Sequence, residues 1–155
     1  MERSLTVMNE LMIDIFNDIL TIEQSDLKKG YFKDLSITEI HTIEAIGMYV
    51  PRNMSEVARD IGITLGTLTT AVSNLVKKGY VERKKSENDR RVVNIDLTKK
   101  GKLAYRIHAK FHRDIIRETI DGLDEKEKNT LVNVLEKLNF SIKEKYDIKT
   151  RTNRE

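Results

Sequence analysis

Apolar residues recur along the first stretch of the chain at steps of three and four: Leu5, Met8, Met12, Ile15, Ile19 and Ile22. That spacing predicts a helix over residues 5–24 carrying the seam of a coiled-coil-like pair. Leu11, Phe16 and Leu20 widen the stripe beyond what packing on one side requires, and the polar run Gln24–Lys29 with Gly30 predicts its end. Ser36-Ile37-Thr38-Glu39 reads as a capping box. It opens a helix with Ile37, Ile40, Ile43 and Ile46, which Pro51 stops.

Two short helices follow close together. Asn53-Met54-Ser55-Glu56 opens one that runs from Ser55 to Ile61 and closes at Gly62. Thr64 caps the next, Leu65 to Lys78, which closes at Gly79. Leu65, Leu68, Val72, Leu75 and Val76 share one face of it, and Thr67, Thr69, Thr70, Ser73, Asn74 and Lys77 the opposite one. The pair and their tight turn make a helix-turn-helix pattern. Beyond Gly79 the period changes to two, and Tyr80–Arg83 and Val92–Leu97 predict strands. The polar tip Lys84–Arg91 joins them into a two-stranded wing. Thr98 caps a long helix to about Thr119 with Leu103, Ile107, Phe111 and Ile115 at every fourth place. Asp124-Glu125-Lys126-Glu127 is another capping box, starting a helix with Leu131, Val134, Leu135, Leu138 and Ile142. Residues Lys149 to Glu155 are expected to fray.

Composition agrees with a helical chain: 155 residues hold one proline and seven glycines. There is no cysteine, hence no disulfide, thiolate metal site or thiol redox sensor. No apolar run reaches the ~20 residues of a membrane span, and Met1-Glu2-Arg3-Ser4 does not begin a signal peptide. A cytoplasmic protein with no membrane partner is the expectation.

The net charge of +3 conceals a segregation. Residues 1–50 carry −5, residues 51–76 zero, residues 77–117 +9 and residues 118–155 −1. A basic segment around the wing of a helix-turn-helix points to DNA. Along the second short helix, Thr64, Gly66, Thr67, Thr69, Thr70, Ser73 and Asn74 are small enough to sit deep in a major groove. Arg90 and Arg91 at the wing tip would reach an adjacent minor groove, with Asp89 holding an arginine in pose. Lys77, Lys78, Lys84, Lys85, Lys99 and Lys100 are expected to clamp phosphates. A solvated polar surface, or a basic face for an acidic protein partner, is the competing reading.

His108 and His112 are one helical turn apart, as a metal pair would be. Two ligands are too few, and His41 or an acidic residue from another helix would have to complete a site. The expectation is polar contacts rather than metal, with His41 buried and hydrogen-bonded among isoleucines. No nucleophile with a base, phosphate-cradling glycine loop or carboxylate pair is evident, so neither an enzyme nor a cofactor is expected.

Gly62-Ile63-Thr64, Asn74 to Val81, Asp89-Arg90-Arg91 and Leu97-Thr98-Lys99-Lys100-Gly101 together resemble the MarR family of winged-helix transcription regulators. The resemblance covers about residues 5–146. It implies a mainly α (α+β) fold in a single domain spanning 1–155. Helices in 5–36 and 101–146 would form an all-helical dimerisation lobe, and residues 37–100 a winged helix-turn-helix DNA-binding lobe. It also implies a homodimer on a palindromic operator, a ligand cleft between the lobes, and Arg91 with Asp89 as the wing pair. Thr70 stands where many members have an arginine.

Phe32–Ile37, Glu39–Ile43, Thr64–Thr70 and Ser86–Val93 resemble more narrowly a subgroup that represses fatty-acid synthesis in Gram-positive bacteria. That likeness implies long-chain acyl-acyl carrier protein as corepressor. Met12, Ile15, Phe16, Ile19, Ile40, Ile43, Ile107 and Phe111 would then line an acyl tunnel, though taken one by one packing in the core or dimer seam is the favoured reading for each. A repressor released by a small aromatic or other hydrophobic ligand is the alternative.

Overall fold

The computed structural model describes residues 2–148, so the expectation for Lys149–Glu155 lies outside the described residues. In chain order the elements are α1 (Glu2–Lys29), α2 (Ile37–Ile46), β1 (Arg52–Asn53), α3 (Met54–Ile61) and α4 (Leu65–Lys77). The strands β2 (Val81–Lys85) and β3 (Val93–Leu97) follow, then α5 (Lys99–Ile120) and α6 (Glu125–Lys145). The chain forms two compact units, one ending at Ile40 and one beginning at His41.

In the first unit, α1 outruns the apolar seam that predicts it. Gln24–Lys29 remain helical, and the helix stops where the Gly30 N–H donates to the Asp26 carbonyl at 2.9 Å. Leu27, Phe32 and Leu35 are buried, while Leu5, Met8, Leu11, Met12, Ile15 and Phe16 are each at least half exposed. The Ser36 capping box forms in both directions. Ser36 N–H donates to Glu39 Oε2 at 2.8 Å, and Glu39 N–H to Ser36 Oγ at 3.2 Å.

The second unit departs from the sequence reading in three places. Gly47, not Pro51, ends α2: it takes φ +72°, and its N–H closes on Ile43 O at 3.1 Å. The sheet has three strands rather than two, in the order β1-β3-β2 and antiparallel throughout. β1 is only two residues long, pairing Arg52 with Ile95 and Asn53 with Asn94, too short to leave an alternation. Along α5 the buried residues are Gly101, Ala104 and His108, whereas Leu103 and Ile107 are 49% and 38% exposed. The every-fourth-residue stripe is therefore not the face this unit buries.

Ile43, Ile46, Val57, Leu68, Val72, Leu75, Tyr80, Ile95, Leu97 and Ala104 are sealed from solvent, and around them α3, α4 and the sheet pack together. Arg52 crosses this region as a buried cation. Its guanidinium donates to Ala45 O at 2.8 Å and to Asp60 Oδ2 at 2.9 Å, tying the end of α2 to β1 and α3. Arg52 and Asp60 side chains are 5% and 3% exposed, so each needs the other. The Asp124–Glu127 capping box starts α6, yet none of its residues is buried and Leu135 and Phe140 are more than half exposed. No helix of the described residues is long and apolar enough to cross a membrane.

Candidate nucleic-acid interface

Thr64 N-caps α4, its hydroxyl oxygen accepting the Thr67 N–H at 3.2 Å and sharing a 2.9 Å bond with Thr67 Oγ1. Thr69 donates to Leu65 O at 2.8 Å and Thr70 to Gly66 O at 3.3 Å. These hydroxyl hydrogens are spent on the helix itself. What remains for a partner is oxygen lone pairs and methyl groups, acceptors for base amines and contacts for thymine methyls. Gly66 is informative because nothing inside the protein demands it. A Cβ there would find only Thr64 Oγ1, at 4.0 Å. A glycine in a helix costs about 1 kcal/mol against alanine, and no contact within the chain accounts for that cost. Gly66, Thr67, Thr69, Thr70, Asn74 and Lys77 are all exposed.

Ser73 is half-buried and engaged from the wing: Arg83 of β2 donates to its hydroxyl at 3.0 Å. The sequence reading placed Arg83 only in a strand. Its place on the same pleat as Val81 and Lys85 was a period-two signal. The bond ties α4 to the wing through an exposed cation.

The hairpin tip is shorter than expected, since Lys84 and Lys85 belong to β2. It closes with Ser86 N–H on Val92 O and Val92 N–H on Asp89 O, both at 3.0 Å. Asp89 accepts the backbone N–H of Arg91 at 2.9 Å. Its hold on the arginine thus runs through the main chain rather than through the guanidinium, and Arg90 and Arg91 stand exposed on the turn.

Two lysines expected as phosphate clamps have other work. Lys84 donates to Asp96 at 2.7 Å and lies 3.2 Å from Glu82. Glu82 and Asp96 face each other across β2 and β3, and the lysine offsets that like-charge pair. Its hydrogen bonds to Asp96 and then Glu82 raise its pKa. Lys100 donates to Lys78 O at 2.9 Å and lies 4.0 Å over the Tyr80 ring. Lys77, Lys85 and Lys99 remain exposed and Lys78 half-buried.

The start of α5 grips the turn that follows α4. Thr98 Oγ1 donates to Gly79 O at 2.6 Å, and Thr98 N–H to Tyr80 O at 3.0 Å. A Cβ on Gly101 would come 2.1 Å from Tyr80 O, so only glycine fits there.

The candidate ligand residues are divided between the two units. Met12, Ile15 and Phe16 are more than half exposed and Ile19 partly so, while Ile40 is sealed. In the second unit Ile43 is sealed, and Ile107 and Phe111 are partly exposed. The three histidines do gather. His108 and His112 bring their Nε2 atoms to 3.0 Å, and the His41 ring centroid lies 6.2 Å from that of His108. His41, expected to be buried, is half-buried, and His108 is the buried one.

A family model described as MarR family matches residues 35–93, from α2 to the start of β3. A solved structure of Streptococcus pneumoniae FabT in complex with DNA is 42% identical, with a TM-score of 0.84 over 90% of this chain and 97% of that one. The chain belongs to the MarR family. Among curated MarR-like relatives, the HTH-type transcriptional regulator SarZ of Staphylococcus haemolyticus is 34% identical over 66% of this chain and 68% of its own length. The regulator PchR of Bacillus subtilis is 24% identical over 69% of this chain. The match spans 65% of PchR and 53% of a second B. subtilis regulator, YhjH, less than two-thirds of either. These relatives bear the names of transcriptional regulators, not of enzymes.

Proposed function

We propose that this MarR-family chain is a cytoplasmic, homodimeric transcriptional repressor that binds a palindromic operator. The observation that carries the DNA reading is the exposed Gly66–Thr70 surface of α4, joined through Ser73 and Arg83 to a wing bearing Arg90 and Arg91. The likeness to FabT, solved in complex with DNA, supports the same reading. DNA contacts are assigned to Thr64, Gly66, Thr67, Thr69, Thr70, Asn74, Lys77, Arg83, Arg90 and Arg91. Ser73 and Asp89 act as positioning residues and Lys84 as a strut within the sheet.

The exposed apolar stripes of α1 and α6 support the homodimer, since a second copy would remove them from water. We assign residues 5–36 and 101–146 to that dimerisation frame and residues 37–100 to the DNA-binding lobe. The effector is long-chain acyl-acyl carrier protein acting as corepressor, supported by the fatty-acid-repressor resemblance of residues 32–43, 64–70 and 86–93. The apolar residues of α1, α2 and α5 named above are its candidate lining.

Anisotropy of labelled fatty-acid-synthesis promoter DNA, titrated with and without long-chain acyl-acyl carrier protein, tests both levels. Tighter binding with the acyl protein is expected. Unchanged affinity removes the corepressor and leaves the repressor. No salt-sensitive binding to any promoter fragment removes both.

A further inference from the structure

We propose that the solvent face of α5 is a docking surface for an acidic amphipathic helix of a partner protein. Between Lys99 and Arg117 the helix carries seven lysines and arginines against one acid, Asp114. Six of the cations, Lys99, Lys102, Arg106, Lys110, Arg113 and Arg117, follow one another at steps of three and four. At about 3.6 residues per turn those steps keep them within an arc of about 80°, in a row roughly 27 Å long. The row lies on the side of α5 opposite Gly101, Ala104 and His108, the residues the helix buries. Five of the six are exposed and Lys102 is half-buried. The expected phosphate clamps include only Lys99 of these, so most of the row has no part in the DNA reading.

Asp114 shows what such a row does to a carboxylate. It accepts a hydrogen bond from Lys110 and lies 3.7 Å from Arg117. The bond from Lys110, then the charges of Arg117 and Arg113, lowers its pKa. A partner helix with carboxylates at the same steps meets a cation at each turn. Leu103 and Ile107 border the row and are 49% and 38% exposed. A phosphate backbone has nothing apolar to set against them, whereas the apolar edge of an amphipathic helix does. A second copy of the chain fits less well. Glu10, Asp14 and Asp18 make a shorter acidic row on α1, but they lie across that helix from the apolar seam a second copy would cover. The surface deepens the acyl carrier protein reading and rests on it for its partner. The protein part of the carrier supplies the acidic helix, and Ile107, a candidate for the acyl lining, borders the row on which it docks.

The experiment passes the full chain over immobilised acyl carrier protein, with and without a long acyl chain, in surface plasmon resonance at two salt concentrations. The parent is expected to bind both forms, less tightly at the higher salt. Arg106→Glu with Arg113→Glu should weaken both by about tenfold or more, and Arg106→Lys with Arg113→Lys should retain binding. Operator affinity without the carrier, read by anisotropy, should keep its salt dependence in both variants, with circular dichroism reporting the fold. Equal carrier binding by the folded charge-reversed variant overturns the docking surface and leaves the corepressor reading standing. Carrier held through these arginines without effect on operator affinity supports the surface and removes the corepressor. No carrier binding by the parent overturns both. Operator binding that weakens with a shallower salt slope in the charge-reversed variant makes the row a phosphate track and overturns the surface. Loss of the dimer in that variant, read by light scattering, makes a second copy the occupant and overturns it too.

Discussion

Gly66→Ala separates a requirement inside the protein from one outside it. The new methyl group would meet no heavy atom closer than Thr64 Oγ1 at 4.0 Å, ordinary van der Waals distance. Position 66 is the second residue of α4, so the gain in helix propensity is about 0.5–1 kcal/mol, at or below the interior value. For a chain of this size that raises Tm by about 1–4 °C. On DNA the sign reverses. A methyl on the face that approaches base edges pushes the helix out of the groove, at a cost like that of losing one base contact. That is about 1–3 kcal/mol, or roughly 5- to 150-fold in affinity. Urea denaturation at fixed protein concentration gives the first quantity, and operator anisotropy at fixed salt the second. A variant that is more stable and binds DNA as well as the parent refutes the placement of this face in the groove. A less stable variant refutes the statement that Gly66 has no internal role.

Gly101→Ala should destabilise by about 3 kcal/mol or more, because the added Cβ collides with the Tyr80 carbonyl, a backbone atom held on both sides; chemical denaturation, or loss of folded yield, reads this. Arg52→Ala leaves Asp60 buried without its guanidinium and should cost about 3–5 kcal/mol by denaturant melt, while Arg59→Ala, with a half-exposed side chain, should change little. Arg91→Ala should lose about 1–3 kcal/mol of operator binding in gel shifts with unchanged thermal stability; full binding would exclude the wing tip from the contact. Deleting residues 1–24 should give aggregation or loss of the dimer in light scattering, and a monomer that still binds DNA would refute the helical frame.

Local chemistry made the helix starts legible. The caps at Ser36, Thr64, Thr98 and Asp124 each depend on residues three apart, a distance that a linear pattern records directly. The wing was legible for the same reason, its alternation confined to two short runs. What sequence did not disclose depends on distant partners. Arg52 and Asp60 look like any surface pair until β1 settles against β3 and buries them. Lys84 counts as one more positive charge until the strand register sets Asp96 beside it. Along α5, apolar character suggested Leu103 and Ile107, but proximity to Tyr80 and Leu97 selected small Gly101 for close packing. Size, not hydrophobicity, governed that contact, and periodicity carries little information about size.

The grip between α4 and α5 has a mechanical consequence. Thr98, Lys100 and Gly101 hold residues 78–80, the turn just beyond α4, against the start of α5, while α4 itself packs on α3 and β2. A movement of the start of α5 is therefore passed to α4 through a short, stiff joint. In a two-fold pair, major-groove half-sites recur about every 34 Å, and a small tilt of each such unit would move the two copies of α4 toward or away from that pitch. Affinity is then tuned by the angle at that joint without altering one side chain that faces the bases.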